Sequence, residues 1–363
     1  MRIAIVIHSL GGGGAERAAV LLAEGLTEKQ HQVSFITLFG EEADFYDLPE
    51  EIPRIALKVD GSSANLLQGL QNNLRRLRSL RQAVDSCQPN IVISFLDKTN
   101  VLTLISCLGS KYPLIVSEQN DPTQNDIGRI WNLLRRLTYP FATMVVSCSQ
   151  GVDRNWSWLS PKQRAVIYNP LAVKDRDSTV APLQLDSNFH KVVAMGRLTP
   201  QKGFDLLLQA FALISEQFPN WQLVILGEGE QRELLEALAR KLGLESQVIM
   251  PGLVSNPFPV LQQCELFVLS SRYEGFGNVI IEAMSCGIPV ISTNCPSGPG
   301  EIINSGKNGI LVPNQDKDRL AQAMKTLMSD PERRQELSAQ AQNSLRRFEL
   351  NEIVSQWEQL FNK

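Results

Sequence analysis

Apolar and polar positions along this chain fall into blocks, and the blocks switch repeatedly between two periods. Residues 2–10 (RIAIVIHSL) open with a continuous apolar run, the pattern of a strand covered on both faces in a parallel sheet. Residues 15–26 (AERAAVLLAEGL) then set Ala18, Leu21, Leu22 and Gly25 along one side of a helix. The alternation continues with strands predicted at 32–38, 91–95, 114–117, 144–147 and 165–168. Helices are predicted between them at 66–84, where Leu70, Leu74, Leu77 and Val84 fall roughly in register, and at 100–108. Residues 171–188 are polar, aperiodic and broken by Pro182, and they read as a linker. The cycle then resumes, with strands at 191–195, 221–226, 248–250, 266–270 and 288–293. The helices of this half are expected at 204–215, 231–242, 278–287, 316–328 and 331–348. A last amphipathic helix, 351–361, carries Ile353, Trp357 and Phe361. Regular βα alternation predicts the α/β class with parallel sheets, here two Rossmann-like halves. The 363 residues suit that division: 1–170, a linker at 171–188, 189–345, and a terminal helix at 346–363.

Composition excludes several functions. With 35 Lys+Arg against 38 Asp+Glu the net charge is −3, so no global nucleic-acid signature is present. The six cysteines are scattered without a C-x-x-C pair, which points to a reducing compartment and away from a disulfide framework or zinc site. The apolar run at 3–7 is too short for a secretory signal, and no run approaches about 20 apolar residues, the length of a membrane span. A cytoplasmic location is expected. Two basic helices stand out, 74–81 (LRRLRSLR) and 129–138 (RIWNLLRRLT), the second with Trp131 among its arginines. A peripheral contact with an anionic inner-membrane face and a solvated helix face over a leucine core both account for them. In the first, the arginines spread around the axis, which weakens the membrane reading there.

The stretch 271–293 carries the strongest chemical pattern. Gly275 and Gly277 bracket Phe276, and Asn278 is the predicted N-cap of the helix that follows. A glycine-rich turn feeding a helix N-terminus is an anion site. Glu274 and Glu282 flank it and would repel a phosphate, so they are expected to meet hydroxyl groups. A ligand with phosphates at one end and sugar hydroxyls at the other suits that arrangement. Arg197 and Lys202 share one strand-to-helix loop and can cover a diphosphate from two directions. Gly11–Gly14 follow the first strand in the same way, although Glu16 stands where a dinucleotide fingerprint would place its third glycine. A tight turn needing only glycine's backbone freedom explains that run equally well. The strand tips supply Asp97, Glu118, Gln119 and Asn120, at the sheet edge where open α/β folds bind ligands. Ordinary polar strand termini are the alternative for each. Asp97-Lys98-Thr99 is not an acidic pair around a variable residue, so no metal site is predicted.

Glu274 and Glu282, with seven residues between them in EGFGNVIIEAMSCGIPVIST, resemble the E-x7-E signature of retaining glycosyltransferases of the GT-B fold, family 4. GRLTPQKGFDLLLQAF, GEGEQRELLEAL and Pro251-Gly252-Leu253 are similar to further segments of that family, and GGGGAER resembles its glycine-rich loop. CPSGPGEII resembles members that extend polysaccharides or lipid-linked glycans. The likeness covers essentially the whole chain and is tighter in the second half.

It implies two Rossmann-like domains closing across a cleft, with the terminal helix crossing back to the first. It also implies retaining transfer from a nucleotide diphosphate donor, expected to be a UDP-sugar, to a glycan hydroxyl. No tightly bound cofactor and no metal are implied. By the same likeness Glu274, Arg197 and Lys202 are catalytic. Gly13, Gly14, Gly227, Pro251, Leu253, Gly275, Phe276, Gly277, Asn278 and Glu282 bind the donor, while Asp97, Glu118, Gln119 and Asn120 are acceptor-side candidates by their place at the strand tips alone. The sequence departs from the family in one respect. Many members have a histidine near 118–120, whereas the histidines here are His8, His31 and His190, and only His8 is at a strand tip. An epimerase or phosphorylase on the same scaffold is a second reading, and the missing histidine weighs against the epimerase. A non-catalytic nucleotide-sugar-binding partner of another transferase is a third, against which Glu274, Glu282, Arg197 and Lys202 stand together.

Overall fold

The computed structural model describes residues 1–42, 44–59, 66–172 and 183–361, with the side chains of 66–71 left out. Most of the expected linker and the Leu70 side chain therefore lie outside the described residues. The first half runs β1 (Arg2–Ile7), α1 (Gly14–Glu28), β2 (Gln32–Thr37), β3 (Arg54–Ala56), α2 (Leu66–Cys87), β4 (Ile91–Phe95), α3 (Asp97–Ser106), β5 (Leu114–Glu118), α4 (Arg129–Thr138), β6 (Met144–Ser147), α5 (Gln150–Asp153) and β7 (Arg164–Val166). Its strands form one parallel sheet in the order β3-β2-β1-β4-β5-β6-β7. Consecutive apolar residues of β1 feed opposite faces: Ile3, Ile5 and Ile7 pack with α1, while Ala4 and Val6 join the core over Leu80, Val101 and Tyr139. That two-sided burial is why the strand reads as an unbroken apolar run.

The second half runs β8 (His190–Met195), α6 (Phe204–Ala212), β9 (Trp221–Leu226), α7 (Arg232–Lys241), β10 (Val248–Gly252), α8 (Phe258–Leu261), β11 (Leu266–Leu269), α9 (Asn278–Ser285), β12 (Val290–Asn294), α10 (Pro299–Ile302), β13 (Ile310–Pro313), α11 (Lys317–Ser329), α12 (Pro331–Asn343) and α13 (Leu350–Glu358). Its sheet order is β10-β9-β8-β11-β12-β13, again parallel throughout. The helix expected to run to residue 348 stops at Asn343. A short 3-10 turn, Leu345–Phe348, follows it.

The chain divides into two compact units, Met1–Pro170 together with Phe348–Lys363, and Leu171–Arg347. The last helix thus returns to the first unit. Ile353, Val354 and Trp357 of α13 enter the core beside α1. Gly25 of α1 is required by that contact, since a Cβ there would lie 2.6 Å from Val354 Cγ2 and 3.0 Å from Leu350 Cγ. His31 adds an ion-pair geometry to Glu358 at 2.9 Å.

Each sheet reverses its strand order once, between β1 and β4 in the first unit and between β8 and β11 in the second. The loops leaving the carboxyl ends of two strands at such a reversal diverge to opposite faces and open a crevice between them. Both reversals fall where the sequence concentrates its candidate chemistry.

Candidate active site

In the second unit, the loops leaving β8 and β11 meet at the reversal. Lys202 Nζ lies 2.6 Å from Glu274 Oε1, with only 15% and 8% of the two side chains exposed. Ser271 Oγ donates to the same carboxylate oxygen at 2.6 Å. A largely buried charge pair holds only if its surroundings fix it, because each ion has given up water. Here the two loops are tied together by backbone and side chain. Arg272 N donates to the Gln201 carbonyl at 2.8 Å, and Gln201 Nε2 donates to the Tyr273 carbonyl at 3.0 Å. Ser270 Oγ donates to the Lys202 carbonyl at 2.9 Å, and Thr293 Oγ1 to the Ser271 carbonyl at 2.6 Å. Arg272 then forks onto Asp205 at 2.9 and 2.7 Å and reaches the Pro200 carbonyl at 2.6 Å. The Arg272 guanidinium holds the Asp205 carboxyl below its ordinary pKa, chiefly through these hydrogen bonds.

Sequence reasoning missed Asp205, Arg272, Ser271 and Thr293. An acid in a first helical turn ordinarily serves the helix dipole, so Asp205 gave no distinctive signal. Its arginine stands 67 residues away.

The remaining candidates of this unit gather on the same sheet edge. Gly277, at φ +99° and ψ 53°, is the N-cap of α9, and Asn278 is its first helical residue, so the helix starts one residue earlier than the sequence suggested. The left-handed backbone suits glycine, which brings no side chain to cover the helix end. Gly298 fits against Phe276, where an added Cβ would collide with the Phe276 backbone carbonyl. The loop after β12 therefore braces the Gly275–Gly277 turn from behind. Glu282 is buried one turn into α9, and Phe276 and Gly275 are buried as well. Arg197 is exposed on the β8 loop, Gly227 is buried at the end of β9, and Pro251 and Leu253 are exposed at the end of β10. The arrangement combines a cation held by a carboxylate, a helix N-terminus, a buried acid and an exposed apolar residue along one edge. It can receive a diphosphate, hydroxyl groups and a flat ring.

Gly13 and Gly14 belong to the other unit. Gly13 is the N-cap of α1, and the Glu16 carboxylate folds back so closely that a Cβ on Gly13 would strike it. An acid thus stands over this helix end, where an anion was expected.

The four acceptor-side candidates are also in the first unit, and three of them are buried. Asp97 opens α3 and accepts from Asn120 Nδ2 at 3.2 Å and Asn125 Nδ2 at 2.7 Å, with Arg135 Nη2 at 3.4 Å. Leu96 before it has φ +74°, a strained conformation for a branched side chain, and it sits at the sheet reversal. Glu118 does not point from a strand tip into a crevice. It is the last residue of β5, wholly buried, and accepts from Tyr139 Oη and from Asn100 Nδ2 at 3.2 Å. Gln119 likewise turns inward, donating to Ser117 Oγ at 2.9 Å and accepting from Asn169 Nδ2 at 2.8 Å. The physical reason is that each finds partners inside the unit, Asn100, Arg135 and Tyr139 for Glu118, and Ser117 and Asn169 for Gln119. Asn120 alone of the four remains half-buried.

Burial pushes the Glu118 pKa from 4.5 up to about 7, with the Arg135 charge pulling the other way. The folded chain then keeps this proton to about pH 7, while the unfolded chain loses it near pH 4.5. The folded state binds more protons in that window, so stability is full below it, falls as pH rises through it, and levels off above. The expected loss is about 3 kcal/mol. Glu118→Gln should flatten this arm in urea midpoints measured from acidic to neutral pH. An unchanged slope would mean that Glu118 ionises normally.

Comparison with known proteins follows the same division. Residues 12–174 match the family described as Glycosyltransferase Family 4, and residues 175–344 match Glycosyl transferases group 1. The chain is 30% identical, over 98% of its length and 97% of the relative's, to a Campylobacter jejuni protein named GalNAc-alpha-(1->4)-GalNAc-alpha-(1->3)-diNAcBac-PP-undecaprenol alpha-1,4-N-acetyl-D-galactosaminyltransferase. It is 28% identical, over 97% of both chains, to a second C. jejuni protein, N-acetylgalactosamine-N,N'-diacetylbacillosaminyl-diphospho-undecaprenol 4-alpha-N-acetylgalactosaminyltransferase. Among solved structures, Anabaena HepE in complex with UDP superposes with a TM-score of 0.77 at 20% identity over the whole of both chains. Sucrose-phosphate synthase of Thermosynechococcus elongatus gives a TM-score of 0.83 at 19% identity, covering 100% and 98% of the two chains. These neighbours share the fold of two parallel-sheet, Rossmann-like domains.

Proposed function

The chain belongs to glycosyltransferase family 4, and from that premise we propose that it moves a sugar from a UDP-sugar to a hydroxyl of a lipid-linked glycan or polysaccharide, with retention of anomeric configuration. The observation that carries this reading is the Lys202–Glu274 pair at the β8/β11 reversal, beside the N-terminus of α9 and the buried Glu282. In the reaction the bond from the anomeric carbon to the diphosphate oxygen breaks, and a bond from that carbon to the acceptor oxygen forms on the same face. The acceptor proton passes to the departing diphosphate. Negative charge grows on the leaving group as the bond breaks, so cations fixed near it act more strongly in the transition state than before it. Lys202 and Arg197 take that role. The N-terminus of α9 adds its dipole, Glu282 receives the ribose hydroxyls, and Glu274 lies by the transferred sugar. Pro251 and Leu253 border the base. No metal is required by this scheme, and activity is expected to persist in chelator.

Both C. jejuni relatives are named for N-acetylgalactosamine transfer to diphospho-undecaprenol glycans, so UDP-N-acetylgalactosamine and an acceptor of that type lead the trial. UDP release together with an acceptor lengthened by one sugar supports the proposal. Conversion of the UDP-sugar to its epimer would show the epimerase, and binding without turnover across a panel of UDP-sugars would favour the non-catalytic partner.

A further inference from the structure

Helix α4 is amphipathic with its apolar side turned outward. Ile130, Leu133 and Leu137 are 73%, 59% and 58% exposed, and their spacing puts them on one stripe. Phe141, 68% exposed, prolongs the stripe through the Tyr139–Phe141 turn. The buried residues of the helix are Arg135 and Thr138, and Arg135 reaches Asp97. Trp131 and Leu134 pack inward against the core beside Arg135, so the helix carries a second, outward apolar stripe where a surface helix ordinarily shows polar residues. Isolated exposed leucines elsewhere, such as Leu213 and Leu234, need no explanation, but four large side chains on one continuous stripe do.

The surroundings say what covers it. Arg129 and Arg136 are exposed beside the stripe, and Arg136 lies over the half-exposed Trp158 ring at 5.4 Å. No acidic residue occurs from 127 to 152. A second copy of the same face would set these arginines against one another, with Asp126, exposed just before the helix, the one acid in 126–152 to receive them. An anionic lipid surface offers what the face lacks, negative headgroups at the rim and an apolar layer for the leucines, with tryptophan at the boundary between them. Among the described side chains of the other basic helix, α2, one large apolar residue is exposed, Leu74. No helix among the described residues is long and apolar enough to cross a membrane.

We propose that α4, the Tyr139–Phe141 turn and Trp158 form a docking face that lies in the headgroup boundary of an anionic bilayer. This deepens the reading of a lipid-linked acceptor, since it holds the first unit at the surface where such an acceptor is anchored. It is tested without any sugar. The full chain is sedimented with phosphatidylcholine vesicles that contain or lack phosphatidylglycerol. Binding is expected only with phosphatidylglycerol, and it should fall as salt screens the arginines. Arg129→Ala and Arg136→Ala should each weaken it by about fivefold. Leu133→Glu and Leu137→Glu should each weaken it by about tenfold or more. Each variant should keep the wild-type thermal unfolding profile, as expected of substitutions at exposed positions. No wild-type binding to phosphatidylglycerol vesicles at low salt overturns the proposal, as does binding indifferent to the leucine substitutions. A concentration-dependent dimer abolished by Leu133→Glu overturns it in favour of a protein interface. Failure of sugar transfer would leave the vesicle result untouched, so the two readings fall separately.

Discussion

Lys202→Ala is expected to lower turnover by about 10²–10³-fold, the loss typical when a fixed donor is removed from a developing negative charge. Donor affinity should change much less, because the lysine's ammonium is already engaged by Glu274, at 2.6 Å. The phosphate must share or take over that cation, so part of the ground-state gain is spent on leaving the carboxylate. As charge grows on the leaving diphosphate, the balance shifts to the phosphate. The interaction is therefore stronger in the transition state than in the bound donor, which is the condition for raising turnover. The substitution also strands Glu274 in a site where only Ser271 donates to it among the hydrogen bonds observed. Some loss of thermal stability should accompany the kinetic change. Steady-state UDP release, read beside a melting curve, separates the two. Turnover equal to wild type would remove Lys202 from the mechanism.

Glu282→Ala is expected to weaken UDP binding by about 10–100-fold, from the loss of charge-assisted hydrogen bonds to the ribose hydroxyls. Turnover at saturating donor should hold, because the ribose is remote from the bond that breaks and contributes equally before and during the reaction. The split between the two variants is itself diagnostic, with Lys202 acting on turnover and Glu282 on affinity. The burial of Glu282 sharpens the expectation, since a carboxylate 3% exposed is shielded from competing water.

Much of this was legible along the chain. The strands Ile91–Phe95, Met144–Ser147 and Trp221–Leu226 coincide with their predicted ranges, because a continuous apolar run ending at polar residues marks a buried parallel strand at both ends. The edge strands β3 and β13 were not predicted. Each is three or four residues long and only partly buried, too short to show a period. The residues that gather on the sheet edge of the second unit stood out by type and local context, but their connections did not. Lys202 and Glu274 stand 72 residues apart, and the Arg272–Asp205 fork that fastens their loops spans 67. No local pattern encodes such pairings.

Glu118 shows the converse limit. A polar residue closing a strand looks the same whether it enters a crevice or turns inward, and its direction depends on partners supplied by residues 100, 135 and 139. For α4 the sequence left two readings open, a membrane contact and a leucine face over the core. Spacing identifies one face of a helix without saying which way that face points, and here it points to solvent.

The most direct measurement is a calorimetric titration of the full chain with UDP and with GDP, in the presence and absence of magnesium, repeated on Glu282→Ala. The proposed function predicts that UDP binds without a requirement for magnesium, that it is preferred over GDP, and that Glu282→Ala loses most of that affinity. Absence of UDP binding, or UDP binding that Glu282→Ala leaves intact, would contradict it.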